Sequence, residues 1–169
     1  MSHQPTSCHL VLDHNYPAGC LEVPWPSSVR LSRLRHLDAR LTRDFEDWQV
    51  ILALHQRGDV DAFVTQDAAM LSLPTEMVVL AKCGLCLIVT KDTGHSPLRA
   101  LGLLMAGLET AVRRITNERP TVLVLSTSVK SESADSRING IADRSGVAPP
   151  ELIERELSKV GDLSVPVLT

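Results

Sequence analysis

The sequence predicts an α/β protein, built as a three-layer α/β/α sandwich around a mostly parallel central sheet. Short apolar runs at residues 9–12, 62–65, 85–90 and 121–125 have the length and β-rich composition of buried strands. Between them lie longer segments whose apolar residues recur every three or four positions, the spacing of one helix face. Strand and helix alternate in this way through Leu125, the order that lays helices over a parallel sheet. No internal repeat competes with that reading.

A chain of 169 residues is long enough for one domain with a sizeable core. Hydrophobic content of 44% against 22% charged residues excludes global disorder. Two Trp, one Tyr and two Phe leave an aliphatic core and exclude a nucleic-acid site dominated by base stacking. The net charge of −3 excludes a general basic coat. No apolar run reaches the ~18 residues of a membrane span, and the first residues lack a signal peptide's apolar block. The expected setting is the cytoplasm, without a membrane partner.

Taken in order, residues 1–8 are polar. His9-Leu10-Val11-Leu12 reads as the first, central strand, with Asp13 at its carboxyl end. Pro17 opens a helix that Pro24 and Pro26 limit to about two turns. In residues 29–43, Val29, Leu31, Leu34 and Leu37 suit a strand or a helix equally. Thr42 or Asp44 caps the next helix, which ends near Arg57-Gly58. On it Val50, Ile51 and Leu54 share one face, and Asp47 lies on that same face. The strand 62–65 follows, with Asp67 at its carboxyl end. A helical region then runs to about Cys83, with Pro74 as its break point. After the strand 85–90 comes a long helix at 97–115, with Leu101, Leu104, Met105 and Leu108 on one face, and then the strand 121–125. From 128 to 149 Ser, Asp, Arg and Gly dominate, the composition of a tail. Residues 150–159 suit a short amphipathic helix through Leu152, Ile153 and Leu157. The expected organisation is therefore a domain at 1–127 and a flexible tail at 128–169.

Three carboxylates fall where one site would gather them. Asp13 and Asp67 end strands, and Asp47 lies near a helix start on the core side. Open α/β sheets bind ligands along the carboxyl edge, and hard cations such as Mg²⁺ and Mn²⁺ prefer oxygen ligands. Each acid also has a local explanation. Asp67 would cap the helix after its strand, Asp47 would belong to a capping box in Asp44-Phe45-Glu46-Asp47, and Asp13 would be a turn residue ahead of Pro17. Their joint placement at one sheet edge singles them out. Cys83-Gly-Leu-Cys86 has metal or redox spacing, but no second pair accompanies it, and a buried structural role is the expectation.

Asp13-His14-Asn15-Tyr16-Pro17 after an apolar strand resembles the D-x-N-x-P opening of compact bacterial PIN-like domains. Asp47-Trp48-Gln49-Val50-Ile51-Leu52-Ala53-Leu54, a Gly turn, then Val64-Thr65-Gln66-Asp67-Ala68-Ala69-Met70, resembles their D-x-x-hydrophobic helix followed by hydrophobic-T-x-D-x-x-F. The match covers about residues 9 to 90, with both halves in the family's order. The family is similar to the VapC-type toxins, metal-dependent ribonucleases of toxin–antitoxin pairs with an α/β/α fold. The resemblance implies that Asp13, Asp47 and Asp67 hold Mg²⁺ or Mn²⁺, while Asn15 and Thr65 orient ligands or water. It also implies a hydrolase with an RNA substrate and an antitoxin partner; a homodimer is one open oligomeric state. Larger PIN domains add a glutamate between the first two aspartates. Here Glu22 is the sole glutamate before Glu46; Glu46 and Asp92 are the candidate substitutes, and Asp92, after the strand 85–90, is preferred.

Arg30, Arg33, Arg35, Arg40 and Arg43 fit phosphate contacts beside such a site, or else a solvated face or a patch for an acidic partner. Two other functions compete. One is a catalytically inactive PIN-like module that binds RNA or protein. The other is a phosphotransfer domain, which the chain fits poorly: a dehalogenase-like phosphatase wants an aspartate where Asn15 stands, and a receiver wants Thr and Lys on separate strands, whereas Thr90-Lys91 are adjacent.

Overall fold

In the computed structural model, which describes residues 7–161, six strands form one sheet. They are β1 (Cys8–Leu12), β2 (Val29–Arg33), β3 (Ala62–Thr65), β4 (Cys86–Thr90), β5 (Val122–Leu125) and β6 (Val129–Glu132), in the spatial order β2-β1-β3-β4-β5-β6. Neighbours are parallel from β2 through β5, and β6 runs antiparallel at the far edge. The four inner strands are buried at every position, as strands covered on both faces must be. The edges are blunter: β2 is only partly buried, and β6 exposes Lys130 and Ser131.

Strand alternation divides the core in two. Val11, Phe63, Leu87 and Val124 pack on one face beneath α2 (Asp47–Arg57), α3 (Pro74–Cys83), α5 (Ala134–Ser145) and α6 (Pro149–Val160). Leu10, Leu12, Val64, Ile88 and Leu123 pack on the other beneath α4 (Pro97–Glu118) and a 3₁₀ turn at Ala18–Glu22. The result is the α/β/α sandwich that the sequence predicts. Gly107 lets α4 lie close, since a Cβ there would meet Leu125 at 3.0 Å and Val129 at 3.2 Å.

Residues 29–43 resolve as a strand followed by a short helix, α1 (Leu34–Leu37), and a 3₁₀ turn at Ala39–Thr42. The cap of α2 is neither Thr42 nor Asp44. Thr42 donates its hydroxyl to Ala39 O at 3.0 Å, and Glu46 is the N-cap, its own N–H donating to Gln49 Oε1 at 2.8 Å.

The largest correction concerns the expected tail. Residues 128–149 include β6 and α5, and Ala134, Ile138, Ile141 and Ala142 are buried in the same core as the sheet. Their spacing of four, three and one residues is one helix face. Mean composition hid it, because four well-placed apolar side chains suffice to dock a helix. The helix expected at 150–159 is α6, and residues 162–169 of the predicted tail lie outside the described residues. On α6, Glu156 is fully buried and receives hydrogen bonds from Lys159 at 2.9 Å, Thr75 at 2.8 Å and Arg155 at 3.1 Å.

Truncation after Thr127 is therefore expected to remove cooperative unfolding in denaturant, and Ile138→Ala to cost about 2–5 kcal/mol in the same measurement. Retained cooperativity in the truncated chain would show that α5 and α6 are dispensable. Burial acts to raise the Glu156 carboxyl, yet hydrogen bonds from Lys159, Thr75 and Arg155 prevail and hold it below the usual carboxylate range. A lowered folded value means stability that is present above the unfolded carboxylate range and lost as pH falls through the folded value. Glu156→Gln should flatten the acid limb of a stability–pH profile; an unaltered limb would remove Glu156 from that role.

Candidate active site at the carboxyl edge of the sheet

The strand order places a switch point between β1 and β3. From β1 the chain crosses to β2 on one side, and it returns through α2 to β3 on the other. Helical connections diverge there, leaving a crevice beyond the carboxyl ends of the two strands. Asp13 follows β1 directly, Thr65 ends β3, and Asp67 lies two residues further on.

Asp13 is buried, and both its oxygens are engaged. Oδ1 accepts the His14 N–H at 2.6 Å and pairs with His14 Nδ1 at 2.6 Å. Oδ2 accepts Asn15 Nδ2 at 3.1 Å and the Thr65 hydroxyl at 3.1 Å. The Thr65 oxygen in turn accepts the Asp67 N–H at 3.0 Å, and Gln66 Nε2 donates to Asn15 O at 2.7 Å. Asn15 and Thr65 thus fix Asp13 and join the two strand ends.

Asp67 has one oxygen in a local task, since Oδ1 accepts the Ala69 N–H at 2.8 Å and caps the 3₁₀ turn Ala68–Ser72. Asp47 has no such task. It is the first residue of α2, Glu46 supplies the cap, and among the described residues no hydrogen bond reaches its carboxylate. That carboxyl is held above its usual range by burial first, then by repulsion from Asp13 and Asp67, with His14 acting in the opposite sense. Asp47 is exposed as a residue, so solvent discounts the share due to burial. Asp13 and Asp67 are thus both within electrostatic reach of Asp47.

Sequence reasoning missed Glu76. It lies in the first turn of α3 and is 9% exposed. Burial raises its carboxyl; its own backbone N–H opposes this, and Asp47, Glu46 and Glu156 add to the rise. In the sequence it looks like an acid favouring a helix amino terminus, and nothing there signals its burial or that it comes within electrostatic reach of Asp47. Asp92 is exposed, on the loop after β4. It lines a cavity of about 590 Å³ together with Asn15, Gln66, Asp67 and His95.

The acids form an all-oxygen donor set of the kind hard divalent cations take. Among the described residues, no three His, Cys, Asp or Glu side chains are gathered closely enough to hold a metal ion. Closing such a site requires Asp13 to exchange one of its four present donors.

Two of the five arginines have structural tasks. Arg30 sits toward the amino end of β2, at the opposite sheet edge, paired with Asp59 at 2.9 Å. Arg33 is buried, its Nη2 donating to Tyr16 O at 2.9 Å and His14 O at 3.3 Å. Arg40 pairs with Asp38 at 2.5 Å, and Arg35 and Arg43 are exposed. A larger cavity, about 900 Å³, lies at the amino edge beside Cys8, Asp61, Cys83 and Cys86. Burial pushes the Cys8 thiol up to about 12 and the Cys83 thiol to about 11, so neither is an activated thiolate.

Comparison with family models, curated proteins and solved structures found no match to any of them. No described helix is long and apolar enough to cross a membrane.

For Asp47, a raised folded value means that ionisation costs stability at neutral pH, a cost that vanishes below the unfolded carboxylate range. Without added metal, Asp47→Asn is therefore expected to leave the protein equally stable or more stable at neutral pH, with the difference lost on acidification. Denaturation at two pH values checks this. A destabilised variant would make Asp47 a structural residue.

Proposed function

We propose that the chain is a metal-dependent endoribonuclease of PIN type, with Asp13, Asp47 and Asp67 as the residues that would hold Mg²⁺ or Mn²⁺. The observation that carries this reading is the placement of Asp13 and Asp67 at the ends of the two strands that flank the β1–β3 crevice, tied together through Thr65, with Asp47 at the start of α2 within their electrostatic reach. The order and spacing of the three aspartates in the chain support it, since they resemble the PIN-like pattern, and so do the bonds from Asn15 and Thr65 to Asp13. When bound, the cation would supply water activation and charge neutralisation for phosphodiester hydrolysis. The protein's own part is positional. Thr65 holds Asp13 against Asp67, and Asn15 holds it from the loop side. A toxin role with an antitoxin partner, and a cytoplasmic setting, belong to the same proposal.

The saturation of Asp13 and the open spacing of the acids favour a second reading, a catalytically inactive module of the same fold that binds RNA or protein. Millimolar Mn²⁺ separates the two. On the nuclease reading the melting midpoint rises, by the equivalent of about 2.7 kcal/mol when the cation is at a hundred times its Kd. RNA cleavage then requires the metal, and Asp67→Asn removes the midpoint shift and the cleavage together. RNA binding with no metal effect on either stability or cleavage would establish the inactive module instead.

A further inference from the structure

We propose that the outer face of α4 pairs with the same face of a second copy, in an antiparallel two-helix seam that makes the chain a homodimer. The proposal stands apart from the nuclease reading. On its sheet side α4 buries Ala100, Leu104, Leu108, Ala111 and Ile115, as an amphipathic helix does. Its opposite side is not polar over the first three turns. Leu98 is 74% exposed and Met105 48% exposed, two of the three large apolar side chains that stand in solvent among the described residues. Leu101, half-buried, lies between them on the same side of the helix. From Pro97 to Leu108 Arg99 is the only charged residue.

Gly102 lies on this open face, in the interior of a 22-residue helix, where glycine costs stability relative to alanine. A Cβ there would meet nothing within 4 Å, so the described chain has no steric need for glycine at this position. Gly107 differs, since Leu125 and Val129 crowd it. A second helix crossing at Gly102 supplies the missing reason, because side-chain size at the contact sets how closely two helix axes approach.

The charges beside Gly102 identify that second helix. Arg99, Gly102, Ala106 and Glu109 follow one another at spacings of three, four and three residues, the seam of a paired helix. All four are exposed, and among the described residues no hydrogen bond or ion pair reaches the Arg99 guanidinium or the Glu109 carboxylate. Two copies running antiparallel about a two-fold axis at the level of Leu104 set Gly102 against the partner's Ala106. The same axis sets Arg99 against the partner's Glu109, and does so twice. Leu98, Leu101 and Met105 share one flank of the seam and there meet their own images. A parallel pairing would instead set Arg99 against Arg99 and Glu109 against Glu109. The face is thus complementary to itself in the antiparallel orientation. Since α4 starts at the carboxyl edge of the sheet, this dimer turns the two acid crevices to opposite ends and leaves both open.

The test is sedimentation equilibrium of the metal-free full chain. The chain should be dimeric. R99E and E109R, by setting like charges opposite, should each weaken the dimer about tenfold, and the double variant R99E/E109R should restore it. Gly102→Gln has open space within its own chain and should be monomeric, with its helical circular dichroism retained. A chain that stays monomeric overturns the proposal and leaves the face to a different protein. A dimer indifferent to Gly102→Gln or to the single charge reversals overturns it too, as does a double reversal that fails to restore association. No RNA or metal enters the measurement, so its failure is distinct from failure of the nuclease reading.

Discussion

The hydrogen bond from the buried Thr65 hydroxyl to Asp13 Oδ2, 3.1 Å long, holds the carboxyl edge of the sheet in register. A buried carboxylate is tolerable only when donors replace its lost water, and Asp13 has four of them. Thr65 is the donor that comes from another strand, so it couples the end of β1 to the end of β3. Because its oxygen also accepts the Asp67 N–H, the positions of the two strand-end acids are not independent. The network reaches β4 as well: Tyr16 and Thr90 pair through their hydroxyls at 2.8 Å, and the Thr90 hydroxyl donates to Thr65 O at 3.4 Å.

Arg33 secures the same loop from the β2 side. Its guanidinium lies beneath the turn that carries Asp13 to Tyr16 and binds two of that turn's carbonyls. Nε and Nη1 have no partner among the described residues, so the arginine is a costly way to hold a loop. A residue that looked in the sequence like a phosphate contact is instead part of the scaffold beneath the site. Arg30, three positions earlier, points the argument the other way along the strand, to the Asp59 pair at the amino edge. Arg30 and Arg33 have different surroundings because they lie toward opposite ends of β2, while Arg35, Arg40 and Arg43 follow the strand.

The four inner strands were legible because each is a short, largely apolar run buried on both faces, whereas the half-polar edge strands β2 and β6 carry no such signal. The aspartates at strand ends were legible for the same reason, since a charged residue directly after a buried run can only lie at the sheet's edge. Facing and depth were not. Glu76 and Glu156 are acids on helices, and nothing in their neighbours tells that the first is buried and the second is enclosed by Lys159, Thr75 and Arg155. The helix α5 escaped because its four core residues are diluted among polar ones, and mean composition cannot register a periodic face.

The three aspartates also show that a local structural role and membership of a site are not alternatives. Asp13 is held by four donors, Asp67 gives one oxygen to a cap, and Asp47 has neither kind of tie. A local account fully explains the first, half explains the second and fails for the third, whose capping task Glu46 and Gln49 already perform. Asp47 is also the acid that the other two repel, so its placement costs stability where a neutral side chain would cost none. An acid in the first turn suits a helix amino terminus, so the cost at Asp47 comes from partial burial and its acidic neighbours, not from the helix. That cost singles out the crevice between β1 and β3, rather than the larger cavity at the amino edge, as the place where local rules and the fold disagree.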